Sequence, residues 1–302
     1  MKLFRNLKLN GIDSYSKETG LSTDLLLKAF KIENSFHIKL KREKCKKKRE
    51  ILYKDFYHKL LNFYGRDSNE DDLFDKKIEL KNKQIFLFKK ELYNKSIIDF
   101  GCGEGFFLKN IEKKLKHKSL FGVDIFIPSN LSNNSKINFI ETSIINFSTD
   151  KKFDVAFSDN VLEHISVLDY PDHLQTVYNS LKSGGKFILV MPNRLFGPSD
   201  ISRIFDNSSS GKTSAIGGHL NESTYHEMIN FLKNAGFVNF RTALPIPYLK
   251  FFPLLNKIRI KTNIITFIER NPFLLKIFRL IKYKGRCKIR FTITLICQKP
   301  FN

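Results

Sequence analysis

SIIDFGCGEGFFLKNIEKKL, residues 96–115, is the stretch on which the fold turns. Its first five residues form a short apolar run of strand character, broken only by Asp99. Gly101-Cys102-Gly103-Glu104-Gly105 follows, and then a helical pattern with Phe107, Ile111 and Leu115 on one face. A strand entering a glycine loop that opens a helix lets backbone approach a ligand closely, beside the free N–H groups of a helix start. No Gly-Lys-Ser/Thr follows, so a nucleotide P-loop is excluded. The glycines read G-x-G-x-G, and Phe106 stands where a dinucleotide fold needs its third glycine. Asp99, just before the loop, would repel a pyrophosphate and suits a ligand carrying an ammonium or sulfonium group. Nineteen residues after Gly105, Asp124 ends a second strand, Ser119–Asp124, where an acid can accept both hydroxyls of a ribose.

Outward from this loop the chain alternates short apolar runs with amphipathic segments. SIIDF, SLFGVD, INFIE, FDVAFS and GKFILVM recur with helical stretches between several of them, which predicts a largely parallel α/β sheet. Residues 1–90 read as helical, with Leu52, Phe56, Leu60 and Phe63 on one stripe. NESTYHEMINFLKNAGF (221–237) carries a Thr224/Glu227 capping box and a Gly236 stop. VNFRTAL (238–244) and IRFTITLICQ (289–298) read as the last two strands, with a basic, aromatic insertion at 246–287 between them.

Taken together, Asp99-x-Gly101-x-Gly103-x-Gly105, Asp124, FDVAFSDNVLEHI (153–165), LKSGGKFILVMPN (181–193) and AGF (235–237) resemble the class I S-adenosylmethionine-dependent methyltransferases. The likeness is to the branch containing the ubiquinone-biosynthesis O-methyltransferases, and it covers about residues 90–245 plus the terminal strand. It implies a Rossmann-like α/β fold: a mostly parallel seven-stranded sheet with an antiparallel last strand. The methyltransferase domain would span 91–302, after a helical extension at 1–90. It also implies S-adenosyl-L-methionine as methyl donor, leaving S-adenosyl-L-homocysteine. Carried over by motif position, Asp99, Gly101 and Gly103 would hold the methionine part and Asp124 the ribose. Ser143 and Ile144 stand at the adenine, where an Asp is commoner than Ser143, and Asp159 lines the pocket near the sulfonium. Glu163 and His164 match a Leu-Glu-His signature; the Glu that precedes it in metal-binding relatives is Asn160 here, so no metal site is expected.

Methyl transfer from a sulfonium is an in-line displacement driven mainly by positioning. A base is needed only where the acceptor must lose a proton, and the candidates are His164, which could equally brace its loop, and His219. The aperiodic stretch 194–220 lies where this fold places substrate loops and reads as a lid; Arg194, Arg203 and Tyr225 lie within or beside it.

The chain has 302 residues and a formal charge of +22, distributed unevenly. Residues 1–90 hold 23 basic and 13 acidic side chains, 91–200 hold 12 and 13, and 201–302 hold 17 and 4. The cofactor motifs are therefore neutral and the excess lies in the flanks. The basic insertion at 246–287 reads as a helical cap over the acceptor pocket, an interfacial segment drawn to anionic lipid, or a nucleic-acid surface. The acceptor expected is a small molecule or a lipid- or sugar-linked metabolite, methylated on oxygen or nitrogen. An RNA methyltransferase and a non-catalytic binding module are the alternatives. Four cysteines without a C-x-x-C pair suggest a reducing compartment. The first eleven residues carry no signal-peptide pattern, and no apolar run reaches the ~18 residues of a membrane span. A cytoplasmic protein, in part membrane-peripheral, is the expectation.

Overall fold

The computed structural model describes residues 8–64, 70–128, 131, 136–243, 258–283, 286–287 and 292–301. Four helices come first: α1 (Ile12–Thr19), α2 (Thr23–Arg42), α3 (Lys46–Tyr64) and α4 (Glu70–Leu92). Then come β1 (Ser96–Phe100), α5 (Phe106–Lys114), β2 (Ser119–Asp124), β3 (Ile137–Glu141), β4 (Phe153–Asp159), α6 (Tyr170–Ser180) and β5 (Leu181–Met191). The chain continues through α7 (Tyr225–Asn234), β6 (Val238–Ala243), β7 (Arg259–Lys261), α8 (Thr262–Arg270) and α9 (Pro272–Leu280). A small hairpin, β8 (Lys282–Tyr283) and β9 (Arg286–Cys287), precedes the last strand, β10 (Ile293–Gln298).

One sheet runs β3-β2-β1-β4-β5-β10-β6-β7. β3, β2, β1, β4 and β5 pair in parallel, whereas β10 pairs antiparallel with both β5 and β6. Strand order reverses between β1 and β4, and a crevice at such a reversal is where open α/β sheets bind ligands. β1 is buried along its whole length, as a central strand covered on both faces must be. One face carries Phe88, Leu92, Phe107, Ile111 and Phe157; the other carries Phe100, Tyr170, Leu174, Leu189 and Phe237.

The sheet has eight strands among the described residues, one more than the seven expected. The extra strand is β7, from the insertion read as helical. It pairs antiparallel with β6 and supplies partners to an edge that would otherwise be open. The rest of the described insertion is α8, α9 and the β8–β9 hairpin. Residues 244–257, with Tyr248, Phe251 and Phe252, lie outside the described residues, as do 65–69 and 288–291.

The N-terminal helices pack onto the loop at 194–220. Leu26, Ala29 and Phe30 of α2 form an apolar stripe buried against Ile201, Ile204 and Phe205. α3 is anchored by a buried ion pair, in which the Arg49 guanidinium donates through Nε and Nη2 to Asp169. Tyr53 donates to the same carboxylate at 2.8 Å and accepts from the Ser166 N–H at 2.7 Å. Asp169 is wholly buried, so this network fixes where α3 crosses the domain.

Candidate active site

The glycine loop leaves β1 with three left-handed residues, Gly101 (φ 78°), Gly103 (φ 51°) and Gly105 (φ 70°). A Cβ on Gly101 would stand 2.3 Å from the Val161 Cγ2, whereas one on Gly103 would meet nothing within 4 Å. Gly101 is therefore closed by packing, and Gly103 faces open space at the mouth of the crevice. Asp124, at the end of β2, accepts from the Gly103 N–H at 2.8 Å through Oδ2 and from the Phe126 N–H at 3.2 Å through Oδ1. Burial raises its pKa, and these backbone donors oppose the rise.

Asp99 is buried beneath the loop, and burial pushes its carboxyl up to about 8; Lys81 opposes this, while Asp159 and Asp124 add to it. Asp159, ending β4, accepts from the Lys81 ammonium and from the Gln84 amide at 2.7 Å through Oδ2, and from the Asn160 amide at 3.1 Å through Oδ1. Gln84 Oε1 is buried with no hydrogen-bond partner. An orphaned acceptor beside a buried carboxyl is a place for a cation. At the expected adenine position, Ser143 Oγ accepts from the Ile145 N–H at 3.3 Å. The Ile144 side chain joins the core, and its carbonyl accepts from the His173 ring at 3.1 Å.

The Leu-Glu-His signature forms a short 3₁₀ turn, Leu162–His164, after β4. Glu163 is completely buried and neither carboxyl oxygen has a hydrogen-bond partner. Burial lifts its pKa to about 8, against the pull of His219. His164 Nδ1 lies 3.1 Å from the Gly218 carbonyl, so that nitrogen carries the hydrogen and Nε2 is the acceptor. Burial, with the charge of His219, lowers His164 to about 3. His219 packs edge-on to His164 at 4.7 Å and donates from Nδ1 to Glu222 at 2.8 Å. Burial would lower the His219 pKa, but the Glu222 bond together with Asp200, Glu163 and the Glu222 charge raise it to about 9. Glu163, His164 and His219 place one ligand atom each within 4.8 Å of one another, a spacing that could hold a divalent cation. Such a cation would have to displace the His219 proton.

The loop behind this cluster is held from α2. The Gly218 N–H donates to Glu33 at 2.7 Å, and the Asn34 amide donates to the Ile216 carbonyl at 2.7 Å. Asp200 accepts from the N–H groups of Gly217 and His219 at 2.9 and 3.1 Å. Tyr57 of α3 faces the His164 ring edge-on at 6.2 Å. Burial raises the Tyr57 phenol, and Asp124 and Glu163 add to the rise, so it bridges the glycine-loop side and the histidine side.

Of the residues marked from sequence, the structure brings Asp99, Gly101, Gly103, Asp124 and Asp159 to one crevice, with His164 and His219 beside it. Others are taken up elsewhere: Arg194 pairs with Glu227, Arg203 pairs with Glu18, and the Tyr225 hydroxyl bonds Thr242 and Thr294 in the core. Sequence reading missed Tyr57, Lys81, Gln84 and Glu33. A signal existed for Gln84, which falls on the Ile85–Phe88–Leu92 buried face of α4, where a polar side chain calls for a partner.

Residues 74–241, more than half of the chain, match a protein family described as a methyltransferase domain. A malonyl-acyl-carrier-protein O-methyltransferase of Calditerrivibrio nitroreducens is 25% identical over 182 residues, which span 60% of this chain and 66% of that protein, just under two thirds of it. A second such enzyme, from Ilyobacter polytropus, is 29% identical over 110 residues, spanning 34% of this chain and 40% of that protein. Among solved structures, the 1,6-didemethyltoxoflavin N1-methyltransferase of Burkholderia thailandensis, with bound S-adenosylhomocysteine, aligns at a TM-score of 0.47 and 15% identity. That alignment covers 83% of this chain and 88% of that one. An S-adenosylmethionine-dependent methyltransferase of Archaeoglobus fulgidus aligns at 0.46 and 17% identity, over 75% and 98% of the two chains. The chain belongs to the methyltransferase domain family, and its sheet order, glycine loop and strand-end acids are those of the class I S-adenosylmethionine-dependent members.

Proposed function

We propose that this chain transfers the methyl group of S-adenosylmethionine to an oxygen atom of a small-molecule or carrier-linked acceptor. The observation that carries the reading is the glycine loop itself, in which Gly103 faces open space while its N–H is held by Asp124 at the end of β2. Asp99 supports it further. A buried carboxyl raised to about 8 is costly alone and gains most from a cationic ligand, which the ammonium and sulfonium of this donor provide. The cofactor when bound supplies an electrophilic methyl on a neutral leaving group. Asp124 would accept the ribose hydroxyls, Ser143 and Ile144 would flank the adenine, and Asp159 with Lys81 and Gln84 would surround the methionine end. The chain's own contribution is to hold the acceptor oxygen in line and exclude water, with α2 and α3 roofing the site.

Oxygen is favoured as the acceptor atom because the curated relatives are named for O-methylation of a malonyl carrier. A carboxylate acceptor attacks without a base. A hydroxyl acceptor would pass its proton to the cluster beside the glycine loop. There Glu163 and His164 are the two candidates: Glu163, raised to about 8, is buried and holds a proton at neutral pH, whereas His164 is neutral with Nε2 as its acceptor nitrogen. His164 positions the loop through Gly218.

The test is to incubate purified protein and radioactive methyl donor with fractionated extract and identify the labelled fraction. Base hydrolysis of the product then separates methyl esters from methyl ethers. For an ether, the variant of His164→Asn and Glu163→Gln that lowers kcat by about 10²-fold or more while cofactor affinity holds identifies the group that takes the proton. For an ester, both changes are small. No calorimetric binding of S-adenosylhomocysteine by the intact chain would overturn the reading.

A further inference from the structure

The insertion presents a surface that the crevice does not use. In α9, Leu275 is buried against the core with Leu274 and Phe278 partly covered, while Phe273, Ile277 and Leu280 recur at i, i+4 and i+7 on the opposite face. Phe273 is 70% and Leu280 69% exposed. In α8, Ile265 is buried and Ile264 and Phe267 point outward, Phe267 being 64% exposed. Two consecutive short helices therefore carry an apolar stripe to solvent, where a soluble surface would be polar.

Along α8, α9 and the rest of the chain after them the charge is almost wholly of one sign. Glu269 is the only acid between residue 228 and the end of the chain. It is turned inward, accepting from the Asn193 amide at 2.6 Å and the Tyr225 N–H at 3.1 Å. Beside the stripe lies a groove of about 460 Å³ between α7, β6, β7 and α8. Lys233, Arg241, Lys261 and Arg270 line it, and no acidic residue does. Arg241 and Lys261 stand directly opposite each other across the β6–β7 ladder. Like charges in that position repel, and an anion between them removes the repulsion. Arg259, two residues before Lys261, is by contrast bound to Glu91 on the body of the protein.

We propose that the outer face of α8 and α9 docks on an anionic lipid bilayer, the apolar stripe entering the interface and the groove taking lipid phosphate groups. An apolar stripe of Phe, Ile and Leu flanked by Lys276, Lys261 and Arg270 is the composition of an interfacial helix. The contact is peripheral, since among the described residues no helix is long and apolar enough to cross a membrane. It does not depend on methyl transfer, and its readout is binding alone.

The experiment is co-sedimentation of the full chain with vesicles of phosphatidylcholine, or of phosphatidylcholine with about one third phosphatidylglycerol, at low salt. The parent is expected to pellet with the anionic vesicles and to remain largely in the supernatant with the neutral ones. Phe273→Ser with Leu280→Ser alters two exposed side chains and is expected to weaken partitioning at least about tenfold. Arg241→Gln with Lys261→Gln should remove the preference for phosphatidylglycerol. A circular-dichroism melt checks that both variants fold. The proposal is overturned if the parent ignores anionic vesicles, or if both variants pellet as the parent does. Retention on an acidic carrier protein or on inorganic phosphate without vesicle binding would also overturn it.

Discussion

Gly101 and Gly103 lie two residues apart in one loop, both left-handed, and their alanine variants should fail in different ways. At Gly101 two costs add. An alanine held at φ 78° is strained by about 1–2 kcal/mol. Its Cβ would also stand 2.3 Å from Val161 Cγ2 and 3.1 Å from Cγ1, in a place too well packed to yield freely, which adds about 1–3 kcal/mol of overpacking. Gly101→Ala should therefore lose about 2–5 kcal/mol in urea unfolding. At Gly103 only the backbone term applies, because nothing lies within 4 Å of the added carbon. Its stability should fall by about 1 kcal/mol. The proposed function puts the cofactor's methionine part in that open space, and on that reading Gly103→Ala should weaken S-adenosylhomocysteine binding at least about tenfold in calorimetry, or about 1.4 kcal/mol. A double variant, Gly101→Ala with Val161→Ala, should be less damaged than the two singles added together, by about 0.5–3 kcal/mol. Unchanged affinity in Gly103→Ala would refute the cradle. A loss below about 0.5 kcal/mol in Gly101→Ala would refute the Val161 contact.

Two further outcomes follow from the buried charges. Arg49→Ala leaves the fully buried Asp169 with only Tyr53 as a partner, and unfolding experiments should show a loss of about 3–5 kcal/mol; a value near zero would mean that α3 is not anchored there. Asp99 and Glu163, both raised to about 8, hold protons in the folded chain that they lose near pH 4 when unfolded, so their stability deficit grows from about pH 4 to 8. His219, raised to about 9, contributes stability that is complete below about pH 6.5 and lost as pH rises through 9. These three signs agree, while His164 and His173, lowered to about 3 and about 4, oppose them only up to about pH 7; the melting temperature of the ligand-free protein should therefore fall from about pH 7 to pH 9, and a flat or rising profile would count against the buried cluster.

The cofactor crevice was legible from sequence because its signals are local. The spacing of Gly101, Gly103 and Gly105 encodes backbone conformation within five residues, and Asp99 and Asp124 end strands whose apolar runs are visible by themselves. The largely parallel sheet followed from the same short-range patterns, whereas the antiparallel direction of the last strand was implied only by the family resemblance. β7 did not, since three residues with two cations make a strand only when β6 offers an open edge. The histidine cluster was half legible. His164 lay in a motif, but its low pKa comes from burial and from His219, 55 residues on, while His219 owes its proton to Glu222 and Asp200.

What sequence alone determined is therefore the loop, the acids that flank it and the short apolar strands that carry them. Tertiary structure decided the rest: the order of the strands, the contacts that bring Tyr57 to His164, Lys81 and Gln84 to Asp159, and Glu33 to Gly218, the opposite proton affinities of Glu163 and His164, and the apolar stripe that α8 and α9 expose. The physical reason is range. Backbone turns and strand ends are set by neighbouring residues, whereas burial, and the proton affinities that burial imposes, depend on which distant elements pack together.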